Sequence, residues 1–115
     1  MAAELPQQIK VGGFLYPVRC EEADREYLDS HSAWGMTRES PRRVLIDAGA
    51  DLQRKQEVLI HEVLHLCAHN SGLDATWGKA EEEYVNRMAL TLFQVFTDNP
   101  TVVRYFLNEE PAQAV

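Results

Sequence analysis

The sequence predicts an α+β fold, with a small antiparallel sheet of about three strands packed on two long helices. Three observations carry this reading. Short β-prone runs bounded by Gly and Pro fill the first 50 residues or so. From residue 52 onward apolar residues recur at helical spacing. The most continuous apolar strand, Val44-Leu45-Ile46, stands directly before the first long helix.

The elements follow from local signals. Ile9-Lys10-Val11 and the run from Phe14 to Val18 flank Gly12-Gly13, a two-residue turn signal because such turns demand positive φ. Residues 8–19 therefore read as a hairpin. Pro17 cannot donate to a ladder, so the second strand is expected to lie at an edge or to end there. Residues 21–30 are acidic and rich in helix formers, but their apolar stripe (Ala23, Tyr27, Leu28) is thin, and a short helix is balanced against a loop. A strand is expected over 32–38 around Trp34 and Met36, a turn at Ser40-Pro41, and the strongest strand at 43–47.

Asp51 suits the N-cap of a helix over 52–69, which ends where Gly72 can take the left-handed conformation. At 100° steps Leu52, Leu59, Ile60, Val63, Leu64, Leu66 and Cys67 share one arc, expected to face the core. His61, His65 and His69 share the opposite arc, flanked by Glu57 and Glu62, with Val58 the one apolar residue among them. A turn-rich linker, 70–78, leads to a helix over 79–97. Its acidic first turn suits the positive end of the dipole, and Tyr84, Val85, Met88, Ala89, Leu92, Val95 and Phe96 form its apolar face. Asp98-Asn99-Pro100 ends that helix and opens a last short one over 100–108. The chain reads as a single domain, 1–115, with flexible ends at about 1–7 and 109–115.

Bulk properties narrow the function classes. A net charge of −7 argues against a nucleic-acid-binding surface, and no apolar run approaches the ~18 residues of a membrane span. Residues 1–10 show no basic segment followed by an apolar core, so a cytoplasmic location is expected. Apolar residues make up 45% of the chain, enough for an ordinary core without metal or disulfide support. Cys20 and Cys67 are too few for a disulfide scaffold, and Cys67 reads as a buried thiol.

The stretch that carries chemistry is residues 58–67, VLIHEVLHLC. His61-Glu62-Val63-Leu64-His65 is an H-E-x-x-H string on an unbroken helix, which places the two imidazoles one turn apart on one face. With four His and twelve Glu in the chain, shuffling would produce the string on the order of 1% of the time. Two imidazoles so placed can converge on one Zn²⁺, while Glu62 is rotated away from them toward a water that the ion activates. The plainer reading is an amphipathic helix whose histidines face solvent. A catalytic zinc needs a third protein ligand. His69 is a poor one, because three positions spaced four apart on a straight helix lie in a row that one ion cannot span. It reads instead as a rim residue or helix cap. The acidic turn of the next helix, 16 to 18 residues beyond His65, is the better source. Glu83 points away from the apolar face, and periodicity does not choose between Glu81 and Glu82.

These residues resemble a known family. VLIHEVLHLC, together with Glu82-Glu83-Tyr84-Val85-Asn86-Arg87-Met88-Ala89, is similar to the two helices of ImmA/IrrE-type metallopeptidases of phages, prophages and mobile elements. In that family a Glu is followed by a small residue three on, Asn or Asp four on, and an aromatic-Ala pair. Here Val85, Asn86 and Met88-Ala89 follow Glu82, and the register implies Glu82 as third zinc ligand. The likeness spans roughly residues 43–97. Val85 and Met88 depart from the family's residues, and its frequent Leu-Met-Pro is replaced by Leu92-Phe93-Gln94.

The resemblance implies a gluzincin-like endopeptidase with Zn²⁺ on His61, His65 and Glu82. Its substrate would be a protein or peptide, a transcriptional repressor in relatives of known activity. Glu62 is expected to act as general base, and Tyr84, His31 and His69 are candidate oxyanion donors. An extended peptide is expected to add to the sheet edge near residues 34–37. The alternative expectation is a zinc-binding interaction protein of a phage or mobile-element system that cleaves nothing.

Overall fold

In the computed structural model, which describes residues 4–109, Gly12 and Gly13 turn the chain at φ 59° and 85°. They join β1 (Gln8–Val11) to β2 (Phe14–Arg19) as an antiparallel hairpin. A 3₁₀ turn (Glu22–Asp24) and α1 (Arg25–Ser30) follow, then β3 (Gly35–Glu39) and β4 (Arg42–Ile46), joined through Ser40-Pro41. The expected helix over 52–69 is α2 (Leu52–Ser71). Its Asp51 side chain caps the Arg54 N–H at 2.8 Å, and Gly72 at φ 80° closes it.

The α+β class holds, with two corrections to the sheet. It has four strands in the order β1-β2-β4-β3, and it is mixed, because β2 runs parallel to β4. Alternating side chains report which face is buried but not the direction of a neighbour, so the pattern could not reveal that pairing. Pro17 does not put β2 at the end of the sheet. Residues 14–17 pair with β1, and Val18 and Arg19 pair with β4, so β2 changes partner just after the proline.

The linker over 70–78 is more ordered than its turn residues suggest. It contains α3 (Leu73–Trp77) and a 3₁₀ turn (Gly78–Ala80), after which α4 (Glu81–Asp98) and α5 (Pro100–Phe106) complete the chain. Among the described residues no helix is long and apolar enough to cross a membrane. Of the ends expected to be flexible, 1–3 and 110–115 lie outside the described residues. Residue Leu5, by contrast, packs against the core.

Tyr16, Val44, Ile46, Val58 and Leu66 form the central cluster, so β2 and β4 pack against one face of α2. That face only partly overlaps the arc the helical wheel assigned: Leu66 and Leu59 belong to both, while Val58 and Glu62 lie outside the arc. The buried stripe on α2 runs Val58, Glu62, Leu66, whereas Leu52 and Cys67 are exposed; Cys67 is therefore not the buried thiol expected. The cause is that α2 is covered on two sides, by the sheet and by α4, which leaves Ile60, Val63 and Leu64 only half-buried. On α4 only Val85 and Ala89 of the expected apolar face are buried; Tyr84, Met88, Val95 and Phe96 are exposed.

Candidate metal centre

The site begins with the helical repeat. One turn apart on α2, His61 and His65 bring their Nε2 atoms to 3.2 Å. The first turn of α4 crosses them and delivers Glu82, with Oε1 at 3.0 Å from His61 Nε2 and Oε2 at 2.8 Å from His65 Nε2. Donor atoms of these three residues lie within 4.8 Å of one another. Ligands held tetrahedrally about 2.0–2.1 Å from one zinc ion stand roughly 3.4 Å apart, so little rearrangement separates this geometry from a coordination shell.

The donor chemistry points the same way. His65 Nδ1 lies 2.6 Å from Glu81 Oε2, and a ring that gives its one proton to that carboxylate carries its lone pair on Nε2, the side that faces Glu82. Burial depresses the His61 pKa, with the neighbouring His65 adding to the effect, while Glu82 pulls it back up. Two imidazole nitrogens and a carboxylate thus face one point. A proton satisfies one pair of them, whereas a divalent cation satisfies all three. Glu82 is 63% exposed while both histidines are largely covered, so the cluster opens to solvent on the Glu82 side.

Glu62 lies beneath this group, buried at 5% exposure, with Oε2 3.9 Å from His61 Nε2. Burial pushes its carboxyl up to about 7; the Glu82 charge adds to the shift, and His65 and the nearby Thr37 backbone N–H oppose it. Thr37 belongs to β3, the end strand of the sheet, so the carboxylate lies beside the free edge. The approach is close because residue 35 is glycine. A Cβ there would stand 2.4 Å from Val58 Cγ1 and 3.4 Å from Glu62 Cγ.

Above the cluster lies a cleft of about 710 Å³, walled by residues 31–37 on one side and by Glu82, Asn86, Ala89 and Leu90 on the other. No family model, curated protein or solved structure matches the chain. The reading of the site therefore rests on its own geometry.

The remaining sequence candidates separate. His69 turns away, with Nδ1 3.1 Å from Asp74 and Nε2 3.7 Å from Glu39. Tyr84 packs against Trp77 with tilted rings, centroids 5.2 Å apart, and does not line the cleft. His31 does line it, its ring held by an Nδ1–H donated to the Tyr27 carbonyl at 2.9 Å. Asn86, which the sequence reading placed in the Glu82 pattern without a role, also lines the cleft. It lies one turn after Glu82 on the same helix face, a spacing that would have revealed this.

Proposed function

We propose that the chain is a zinc-dependent endopeptidase acting on a protein or peptide substrate in the cytoplasm. The observation that carries the reading is the convergence of His61 Nε2, His65 Nε2 and the Glu82 carboxylate above a buried Glu62, on the floor of an open cleft. Those three residues would hold the ion, which supplies Lewis-acid polarisation of a carbonyl and acidifies a water. Glu62 accepts the proton of the attacking water and passes it to the leaving amine, a role suited to a carboxylate that stands beside the three converging donors. The free edge of β3 offers backbone groups on which an extended peptide lies as an added strand, which holds its scissile bond beside Glu62. His31 and Asn86 line the same cleft as candidate donors to the developing oxyanion.

A second reading keeps the ion but not the cleavage: a zinc-binding interaction protein. What favours it is the apolar end of the molecule, where Tyr105 is 80% exposed beside exposed Phe106 and Leu107. One experiment separates the two. Protein purified without a histidine tag is analysed for zinc and incubated with a mixed peptide library read by mass spectrometry. The peptidase reading expects stoichiometric zinc and cleavage, cleavage lost with zinc retained in Glu62→Gln, and zinc lost in Glu82→Ala. Zinc without cleavage leaves the interaction protein, and no zinc in the wild type sinks both.

A further inference from the structure

Glu81 stands apart from its neighbours in the acidic first turn of α4. It is 25% exposed, against 63% for Glu82 and 62% for Glu83, so its carboxylate is folded back onto the protein. Its Oε2 lies 2.6 Å from His65 Nδ1, on the side of the ring away from the Nε2 atoms that meet Glu82. Glu83 spends its charge on Arg87, 2.9 Å away on the same helix. A charge serving only the helix dipole has no reason to be held against one nitrogen of one imidazole.

We propose that Glu81 is a positioning residue. By accepting the His65 Nδ1–H it fixes the tautomer and the ring plane, so that the Nε2 lone pair faces the metal position. This rests on the metal-centre reading above and deepens it, dividing the two adjacent glutamates that periodicity left equivalent. Glu82 carries the donor atoms, and Glu81 sets the ring that one of them meets. A carboxylate behind a histidine ligand also raises that ligand's basicity, and loss of such a partner typically costs 10–100-fold in metal affinity.

The test measures zinc affinity of the full chain by competition with a chromogenic chelator. Glu81→Ala should bind zinc about 10–100-fold more weakly than wild type. Glu81→Gln, which keeps a neutral acceptor for the same proton, should fall between. Glu83→Gln removes an equal charge from the same helix end and should bind as wild type does. A second readout is independent of affinity. Long-range ¹H–¹⁵N correlation spectra of the zinc-loaded wild type should show His65 protonated at Nδ1, with that proton shifted downfield; in Glu81→Ala the shift should vanish. Equal zinc affinity in wild type and Glu81→Ala overturns the proposal and leaves the metal centre standing. Equal losses in Glu81→Ala and Glu83→Gln also overturn it, in favour of a helix-dipole effect. A wild type that binds no zinc removes both the centre and the positioning role.

Discussion

Glu62 is ionisable by type and buried by position, and the conflict has a measurable consequence in metal-free protein. Its carboxyl is held at about 7, against an ordinary value of 4.5, so over that interval the folded state keeps a proton the unfolded chain has lost. The folded state binds more protons, and stability therefore falls as pH rises from about 4.5 to 7, then levels off. A shift of this size is worth on the order of 3 kcal/mol at the upper plateau. His61 acts in the opposite sense, because its depressed pKa withdraws stability as pH falls. Comparison with Glu62→Gln isolates the carboxyl. In chelator-treated protein, urea denaturation between pH 4.5 and 8 should show the variant gaining on wild type by up to about 3 kcal/mol as pH rises. A pH-independent difference would mean that Glu62 ionises normally. The sequence placed Glu62 beside the proposed metal position by helical angle, but not its burial, because burial depends on a strand outside the helix coming down over it.

That strand makes β3 against α2 the contact between elements that controls the site. Gly35 permits it, since a Cβ would meet Val58 Cγ1 at 2.4 Å and the Leu45 carbonyl oxygen at 3.0 Å. Gly35→Ala should therefore push α2 from the edge strand at a cost of about 1–3 kcal/mol, the usual range for overpacking. On the proposed peptidase reading it should also lower cleavage, because the added Cβ stands 3.4 Å from Glu62 Cγ and shifts the strand beside that carboxylate. Val58→Ala alone opens a cavity and destabilises as well, but the double variant should recover part of the loss, since the added methyl enters the space Val58 gives up. Thermal denaturation of the four proteins reads the coupling, and strict additivity would mean that the methyl is accommodated elsewhere. Element existence was largely legible in the sequence. Gly12-Gly13, Asp51, Gly72 and Pro100 each marked a boundary the structure uses, because turn and cap chemistry is local. The parallel β2–β4 pair, the short α3 and the buried Val58–Glu62–Leu66 stripe were not, because each depends on which distant element arrives.

At the scale of the whole molecule, the proposed metal position joins α2 to α4, and α4 packs on α2 with few fully buried side chains. Val85 and Ala89 are its buried residues, both in its first half, while Leu90, Val95 and Phe96 in the second half are exposed. β4, by contrast, buries Val44, Leu45 and Ile46 in the centre of the sheet. The molecule should therefore open in parts, with α4 separating from α2 at a lower free energy than global unfolding. On the proposed centre, an ion shared by His61, His65 and Glu82 must leave before α4 can separate, so zinc would couple directly to that opening. At zinc concentrations a hundredfold above Kd the coupling is worth about 2.7 kcal/mol, or roughly 100-fold in the opening equilibrium. Hydrogen exchange followed by mass spectrometry should find the amides of α4 exchanging well before those of β4 in metal-free protein. Added zinc should slow α4 by up to about 100-fold and leave α5 unchanged, since α5 lies beyond the site and can fray with the ion in place. If α4 is already as protected as β4 without zinc, its few buried residues suffice to dock it; if zinc leaves α4 exchange untouched, the ion does not bridge the two helices.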